Sequence, residues 1–318
     1  VDRLAASQDV EITNYGINGS GVEYQSKKIN EVMPVDNNDV VLLAAGLNDL
    51  QITGATTKNY YKIQECYRHA ITSSFISSFT PANDDAIDIT GATSVVPISG
   101  DVFTKPRSQY VEDGEMLVTF GNATITYDFT GTNIGFMFMH NASIYTGSPH
   151  IQVWIDGDSI ESVVTTGLVE GAAYTGGGSD MPGVRTYRGL SSGSHTIELR
   201  CRSFSDVNAR FHFDGFYTVK SPGASPVIAV GSPCYMMQAR YDVLASGGIT
   251  LNNTIINVAR DSIFAVADEF IALGYDVRKV DQNLYRGTLT VGVNMDDDDI
   301  HPNDTGHRNI WQSWDEVF

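Results

Sequence analysis

Two apolar runs, Val40-Val41-Leu42-Leu43-Ala44-Ala45 and Pro226-Val227-Ile228-Ala229-Val230-Gly231, stand on either side of a long stretch of quite different character. A parallel strand covered on both faces reads as an unbroken hydrophobic run, whereas an antiparallel strand with one wet face alternates. From about Ala86 to Val219 the chain alternates, in Met116–Phe120, Ala123–Tyr127, Ile134–Phe138, Ile151–Ile155, His195–Arg200 and Ala209–Phe213. Even spacing with Gly, Asn and Asp turns is the pattern of an antiparallel β-sandwich. The chain is therefore expected to be an α/β parallel-sheet domain interrupted by a sandwich, divided as 1–85, 86–220 and 221–318. Its 318 residues suit two domains. Insertion into an exposed loop is tolerated where the two ends lie close together.

The flanking segments supply the other α/β elements. Asp2 to Ser7 resemble the end of a helix, Val10 to Tyr15 a short strand, and Gly16 to Gly21 the turn after it. Thr57 to about Phe79 predicts a helix with Tyr60, Ile63, Tyr67, Ile71 and Phe75 on one face. Asn253 to Leu273 predicts a second, striped by Ile256, Ala259, Ile263, Val266, Ala267 and Phe270, and Tyr275 to Val280 a short strand. A last amphipathic helix carries Ile310, Trp311, Trp314, Val317 and Phe318, with Asn303 or Asp304 as its N-cap.

A formal charge of −18 argues against nucleic acid or an anionic membrane surface as partner, and leaves neutral or cationic ligands open. No apolar run approaches a membrane span. Cys66, Cys201 and Cys234 are odd in number, far apart and without metal spacing, so free thiols are expected, with no metal and no cofactor. No signal peptide is visible, and the chain opens at Val1 without an initiator Met.

The stretch with most chemistry is Asp298-Asp299-Ile300-His301-Pro302-Asn303-Asp304-Thr305-Gly306-His307. An Asp three residues before a His can hold one imidazole nitrogen while the other faces a pocket, which is two thirds of a serine-hydrolase triad. The bland alternative is an acidic surface turn. In an open parallel sheet, ligands gather at the carboxyl ends of the strands. Gly19 follows the first expected strand, Asn48 the second, and the Asp298 loop the last. A Gly permits close backbone approach and an Asn side chain supplies an N–H for an oxyanion, although singly they also suit a tight turn and an Asx turn.

In that order the residues resemble the SGNH (GDSL-like) hydrolase family. Asn14-Tyr15-Gly16-Ile17-Asn18-Gly19 is similar to its second block, Gly46-Leu47-Asn48-Asp49 to its third, and Asp298 with His301 to its fourth. The resemblance covers roughly residues 1 to 80 and 223 to 318. It implies a flavodoxin-like sheet, Gly19 and Asn48 as oxyanion donors, Asp298 as orienting carboxylate and His301 as general base.

The family's first block, a Gly-Asp-Ser at the end of the central strand, should precede Gly19 and is not in the chain, so an upstream polypeptide segment is expected to carry the nucleophile and that strand. A doubly wound sheet without its central strand leaves edges unpaired. Gly157-Asp158-Ser159 follows an alternating strand and reads as a hairpin turn, not as the nucleophile.

The sandwich resembles carbohydrate-binding modules, through Gly189 to Leu199 and Phe211-His212-Phe213-Asp214-Gly215-Phe216. Tyr145, Tyr174 and Tyr187 are candidates to stack on sugar faces, or are ordinary packed rings. His69, His140, His150, His195 and His212 read as structural, and His307 as packing or capping in the last helix. Together these readings imply a serine esterase that removes O-acetyl groups from a polysaccharide. SGNH domains interrupted by a sandwich are also similar to phage tail proteins that deacetylate surface polysaccharides, which implies a virion-tail or extracellular setting and leaves a homo-oligomer open. The alternative is a non-catalytic glycan-binding or virion structural module with a vestigial hydrolase half.

Overall fold

A computed structural model describes residues 21–22, 26, 29, 35–82, 84–90, 95–98, 116–120, 123–140, 150–164, 181–202, 210–298 and 301–318. The strand expected at Val10 to Tyr15 lies outside them. The chain forms two compact units, one of Val1–Ser26, Asp36–Tyr67 and Ser221–Phe318, the other of Lys27–Val35 and Arg68–Lys220. In chain order the described elements begin with β1 (Val40–Ala44), α1 (Leu47–Thr53), α2 (Thr57–Ser74), β2 (Ile76–Pro81), β3 (Ile87–Thr90) and β4 (Val95–Ile98). There follow β5 (Met116–Phe120), β6 (Thr124–Thr130), β7 (Asn133–His140), β8 (His150–Ile155), β9 (Asp158–Val164), β10 (Met181–Arg188), β11 (Ser194–Arg202) and β12 (Arg210–Val219). The chain closes with β13 (Val227–Gly231), α3 (Gln238–Ser246), α4 (Asn253–Ala272), β14 (Val277–Val280) and α5 (Asp304–Asp315).

In the first unit β1, β13 and β14 make a three-stranded parallel sheet in that order, with Val40 opposite Val227 and Ile228 opposite Val277. Parallel strands all leave the sheet on one side, so the segments after Ala44, Gly231 and Val280 share one rim. Helix α4 lies against β13 and β14. Its six expected stripe residues are all buried. The helix starts where Asn252 accepts the Ile255 N–H at 3.0 Å. Asn252→Ala should therefore lower the stability of this unit by about 1 kcal/mol, read as a shift of the urea midpoint at unchanged slope. On α5, Trp314 packs with Ala229 and Val280.

Strand β1 corrects one expectation. Its run of apolar residues was expected to be buried on both faces, yet Val40 and Leu42 are 48% and 38% exposed. Among the described residues β1 has a strand neighbour on one side only, β13, so it is an edge of the described sheet.

The second unit holds two antiparallel sheets. One runs β10-β7-β12-β5-β4 with β2 also on β12, the other β3-β6-β11-β8-β9. Their facing residues share a core that includes Ile125, Phe136, Ile151, Val153, Ile197, Leu199, Phe213 and Phe216. Alternation in the sequence fixes this: along β8, Ile151, Val153 and Ile155 are buried while Gln152 and Trp154 are only half-buried. The Arg200 guanidinium lies 3.9 Å from the Trp154 ring centre.

Helix α2 stops at Ser74, short of the expected Phe79, and Ile76–Pro81 is a strand. One edge of β12 is shared, with β5 along Arg210 to Phe213 and β2 along Gly215 to Val219. The Thr218 hydroxyl bonds those of Ser77 and Ser78, at 2.7 and 2.6 Å. Pairing with a distant strand thus outweighs the local helical periodicity. No described helix is long and apolar enough to cross a membrane.

Candidate active site

Asp298 and His301 are joined directly. The Asp298 Oδ2 bonds His301 Nδ1, and its Oδ1 accepts the His301 backbone N–H at 2.9 Å. Both carboxylate oxygens therefore hold the same residue, one fixing the chain and the other the ring. With an acceptor at Nδ1 the neutral imidazole carries its proton there, and Nε2 keeps a lone pair. Nε2 bonds no described residue, and both side chains are about half exposed.

The loop that carries them is tied down from three directions. Asp296 N–H donates to the His301 carbonyl at 2.9 Å, and Met295 bridges Pro302. Buried Asn294 spans the loop: its Nδ2 donates to the Arg286 and Thr288 carbonyls at 3.1 and 3.0 Å, and its Oδ1 accepts the Thr290 N–H at 2.8 Å. Asn303 caps α5 by accepting from Thr305 and Gly306 N–H at 3.0 and 3.1 Å. The capping role shared in expectation between Asn303 and Asp304 thus falls to Asn303. Neither Asn294 nor Arg286 carries a motif that would have singled it out. Arg286, only 2% exposed, donates from Nη1 to the Tyr235 carbonyl at 2.6 Å and reaches Met295 Sδ from Nη2 at 2.9 Å. It links the loop after β13 to the loop after β14.

Asn48 is in the first turn of α1, directly after β1. Gly46 leads into that turn at φ 106, a left-handed conformation that favours glycine. The neighbouring Asp49, assigned no role by its motif, is buried: it accepts the Val22 N–H at 2.7 Å and pairs with Lys62 at 3.1 Å. The parallel topology sets Asn48, directly after β1, on the same rim as the segment that leaves β14 at Val280. Gly19 lies outside the described residues.

Of the three tyrosines, Tyr145 and Tyr174 lie outside the described residues. Tyr187, on β10, is half-buried, with its ring stacked on Phe136 at 6.5 Å and its hydroxyl donating to Glu161 Oε1. Burial, then the bond to Glu161, pushes that hydroxyl well above the ordinary phenol range. Ser159 is an exposed residue of β9 opposite Trp154, and the turn before it, Asp156-Gly157, has φ 53 and 85. That is the expected hairpin geometry.

A second Ser-His-Asp grouping occurs in the sandwich and escapes sequence inspection, since Asp156 comes from a turn 39 residues before His195. His195 Nδ1 is 2.6 Å from Asp156 Oδ2, while Nε2 is 2.8 Å from the Ser191 carbonyl and 3.4 Å from the Ser191 hydroxyl. The carbonyl occupies the nitrogen that a base would need. This His cannot deprotonate Ser191 in the geometry it has.

No protein-family model and no curated protein matches the chain. Among solved structures it is similar to a two-domain esterase active on acetylated mannans, co-crystallized with mannopentaose, at 16% identity and TM-score 0.33, covering 47% of this chain and 39% of that one. A family 35 carbohydrate-binding module from Clostridium thermocellum is matched at 11% identity and TM-score 0.29, over 45% of this chain and 98% of the module. An acetyl xylan esterase from the rumen bacterium Butyrivibrio proteoclasticus is matched at 15% identity and TM-score 0.27, over 45% of this chain and 32% of the esterase. The chain thus spans well under half the length of either esterase.

Proposed function

We propose that this chain is part of an SGNH-type serine esterase that removes O-acetyl groups from a polysaccharide, with a sandwich that engages the glycan. The observation that carries the reading is the Asp298–His301 pair on an anchored loop, with Nε2 bonded to no described residue. His301 takes the proton from a serine as it attacks the acetyl carbonyl, gives it to the departing sugar oxygen, and then takes a proton from the water that hydrolyses the acetyl-serine to acetate and free serine. Asp298 holds the ring and stabilises the imidazolium. Asn48 and the Gly19 N–H donate to the oxyanion.

The nucleophile comes from a further segment that adds a strand on the side of β1 with no described strand neighbour. The exposed Val40 and Leu42 support that docking, since apolar strand surface at an edge gains from cover.

Acetate release from an acetylated polysaccharide tests the reading, measured for residues 1–318 alone and for the same chain extended at its N-terminus by a strand ending in Gly-Asp-Ser. Turnover should require the extension and vanish when its Ser is changed to Ala. Equal turnover without it would place the nucleophile elsewhere. In the active protein Asn48→Ala should lower kcat on the order of 10²-fold with KM little changed, because this bond strengthens in the transition state. Ser159→Ala should change neither constant.

A further inference from the structure

We propose that His195 is an imidazolium that latches two turns of the sandwich together, so that deprotonation releases them. The two turns are Asp156-Gly157, between β8 and β9, and the segment from Gly189 to Gly193, between β10 and β11. The inference does not depend on the esterase reading.

The geometry at the ring demands two protons. Nδ1 faces a carboxylate oxygen at 2.6 Å and Nε2 a backbone carbonyl at 2.8 Å, and neither partner has a hydrogen to give when Asp156 is ionised. A neutral imidazole has one N–H, so one of these contacts would set lone pair against lone pair. The doubly protonated ring satisfies both, and each bond is then charge-assisted. His195 is 7% exposed, so water offers little relief if a partner is lost.

Each partner is held in turn. Asp156 Oδ1 accepts the Thr196 N–H at 2.9 Å, and the Asp156 N–H donates to the Thr196 carbonyl at 3.0 Å. Asp156 has φ 53, a left-handed conformation that Asp and Asn tolerate. On the other side Gly131 N–H donates to the Gly193 carbonyl at 3.0 Å and Leu190 N–H to the Thr132 carbonyl at 3.1 Å. The ring therefore adds a link from the β8–β9 turn, already bonded to β11 at Thr196, to the segment that leads into that strand, itself bonded to Gly131 and Thr132.

The charged surroundings favour the cation. From the β8–β9 turn comes Asp156, and Asp158 starts β9 beside it. On β6 the residue opposite His195 is Phe129, whose ring centre is 5.4 Å away, and next to it Asp128 accepts from the Thr196 hydroxyl at 2.5 Å. On β11 itself Glu198 is paired with Arg200 at 2.6 Å. The bond to Asp156, then that to the Ser191 carbonyl, raises the His195 pKa above its ordinary value. The bond from His195, then that from the Thr196 N–H, lowers Asp156.

These shifts set the pH window. A raised histidine stabilises fully below its ordinary value of about 6.5 and loses the contribution as pH rises through its folded value. A lowered aspartate stabilises fully above its ordinary value of about 3.9 and loses the contribution in more acid solution. The latch is thus whole between about pH 4 and 6.5 and opens on the alkaline side as the proton leaves.

The test is nitrogen-detected NMR of the whole chain labelled at histidine, with His195 assigned by the signal lost in His195→Gln. His195 should show two N–H protons and titrate above the ordinary value, and Asp156→Asn should bring its midpoint down. Amide exchange at Asp156, Gly157 and Gly189 to Gly193, corrected for intrinsic base catalysis and referred to Leu199 in the core, should rise at least about tenfold across the same titration, since a charge-assisted bond is lost. A His195 with a single N–H at pH 6, or with a midpoint at or below the ordinary value, overturns the imidazolium without recourse to any variant. A high midpoint with exchange in both turns indifferent to pH overturns the latch.

Discussion

His301→Ala should reduce ester hydrolysis on the order of 10⁴-fold or more in kcat in a protein that carries the nucleophile, with its thermal midpoint unchanged. A serine hydroxyl is a poor nucleophile unless a base takes its proton as it attacks, and Nε2 of His301 is the base that the loop presents. The fold should not register the loss. His301 is about half exposed, and exposed substitutions away from special features fall within about 0.5 kcal/mol. Asp298→Asn should come close to His301→Ala in kcat by a different route. An amide nitrogen facing Nδ1 would favour the tautomer with the proton on Nε2, which removes the base while leaving the ring in place. The pair of measurements separates chemistry from folding. Should His301→Ala keep more than about a tenth of the activity, general-base catalysis by this residue is wrong.

What the sequence revealed, and what it did not, follows from the range of the interactions. Helix α4 could be read residue by residue because its stripe is set by residues within a few positions of one another. The Asp298–His301 bond was legible for the same reason, being a contact across three residues. The strand at Ile76–Pro81 was not, since its helical spacing continues that of α2 and only pairing with β12 makes it a strand. The exposure of Val40 and Leu42 was hidden because a run of apolar residues records what a strand can bury, not which neighbour it has. His195 looked like one more structural histidine, since Asp156 sits in a distant hairpin turn and the Ser191 contact is to a carbonyl that every residue possesses. Arg286 and Asn294 work through backbone carbonyls, and such bonds leave no pattern of side chains to find.

Gly306→Ala should both destabilise the first unit and disable the site, although the residue touches neither Asp298 nor His301 through a side chain. Two effects oppose each other. Alanine in place of glycine within a helix is favourable by about 1 kcal/mol, and Gly306 is in the first turn of α5. Against this, a Cβ at Gly306 would stand 2.1 Å from the Asn294 carbonyl oxygen and 2.6 Å from Pro302 Cβ. Neither is a flexible side-chain end that can swing away. The carbonyl belongs to the same residue whose amide organises the loop, and that carbonyl also accepts the Asn303 N–H at 3.3 Å. The helix start or the loop must therefore move by about 1 Å, and overpacking of this kind costs about 1–3 kcal/mol, more than the helix gains. Because Pro302 adjoins His301, displacement of the loop carries the imidazole with it. A misplacement of about 1 Å is worth on the order of 10²-fold in rate. The expected result is a lowered urea midpoint for the first unit together with a loss of kcat/KM of at least that size. Gly306→Ala with native stability and full turnover would show that α5 does not fix the position of His301.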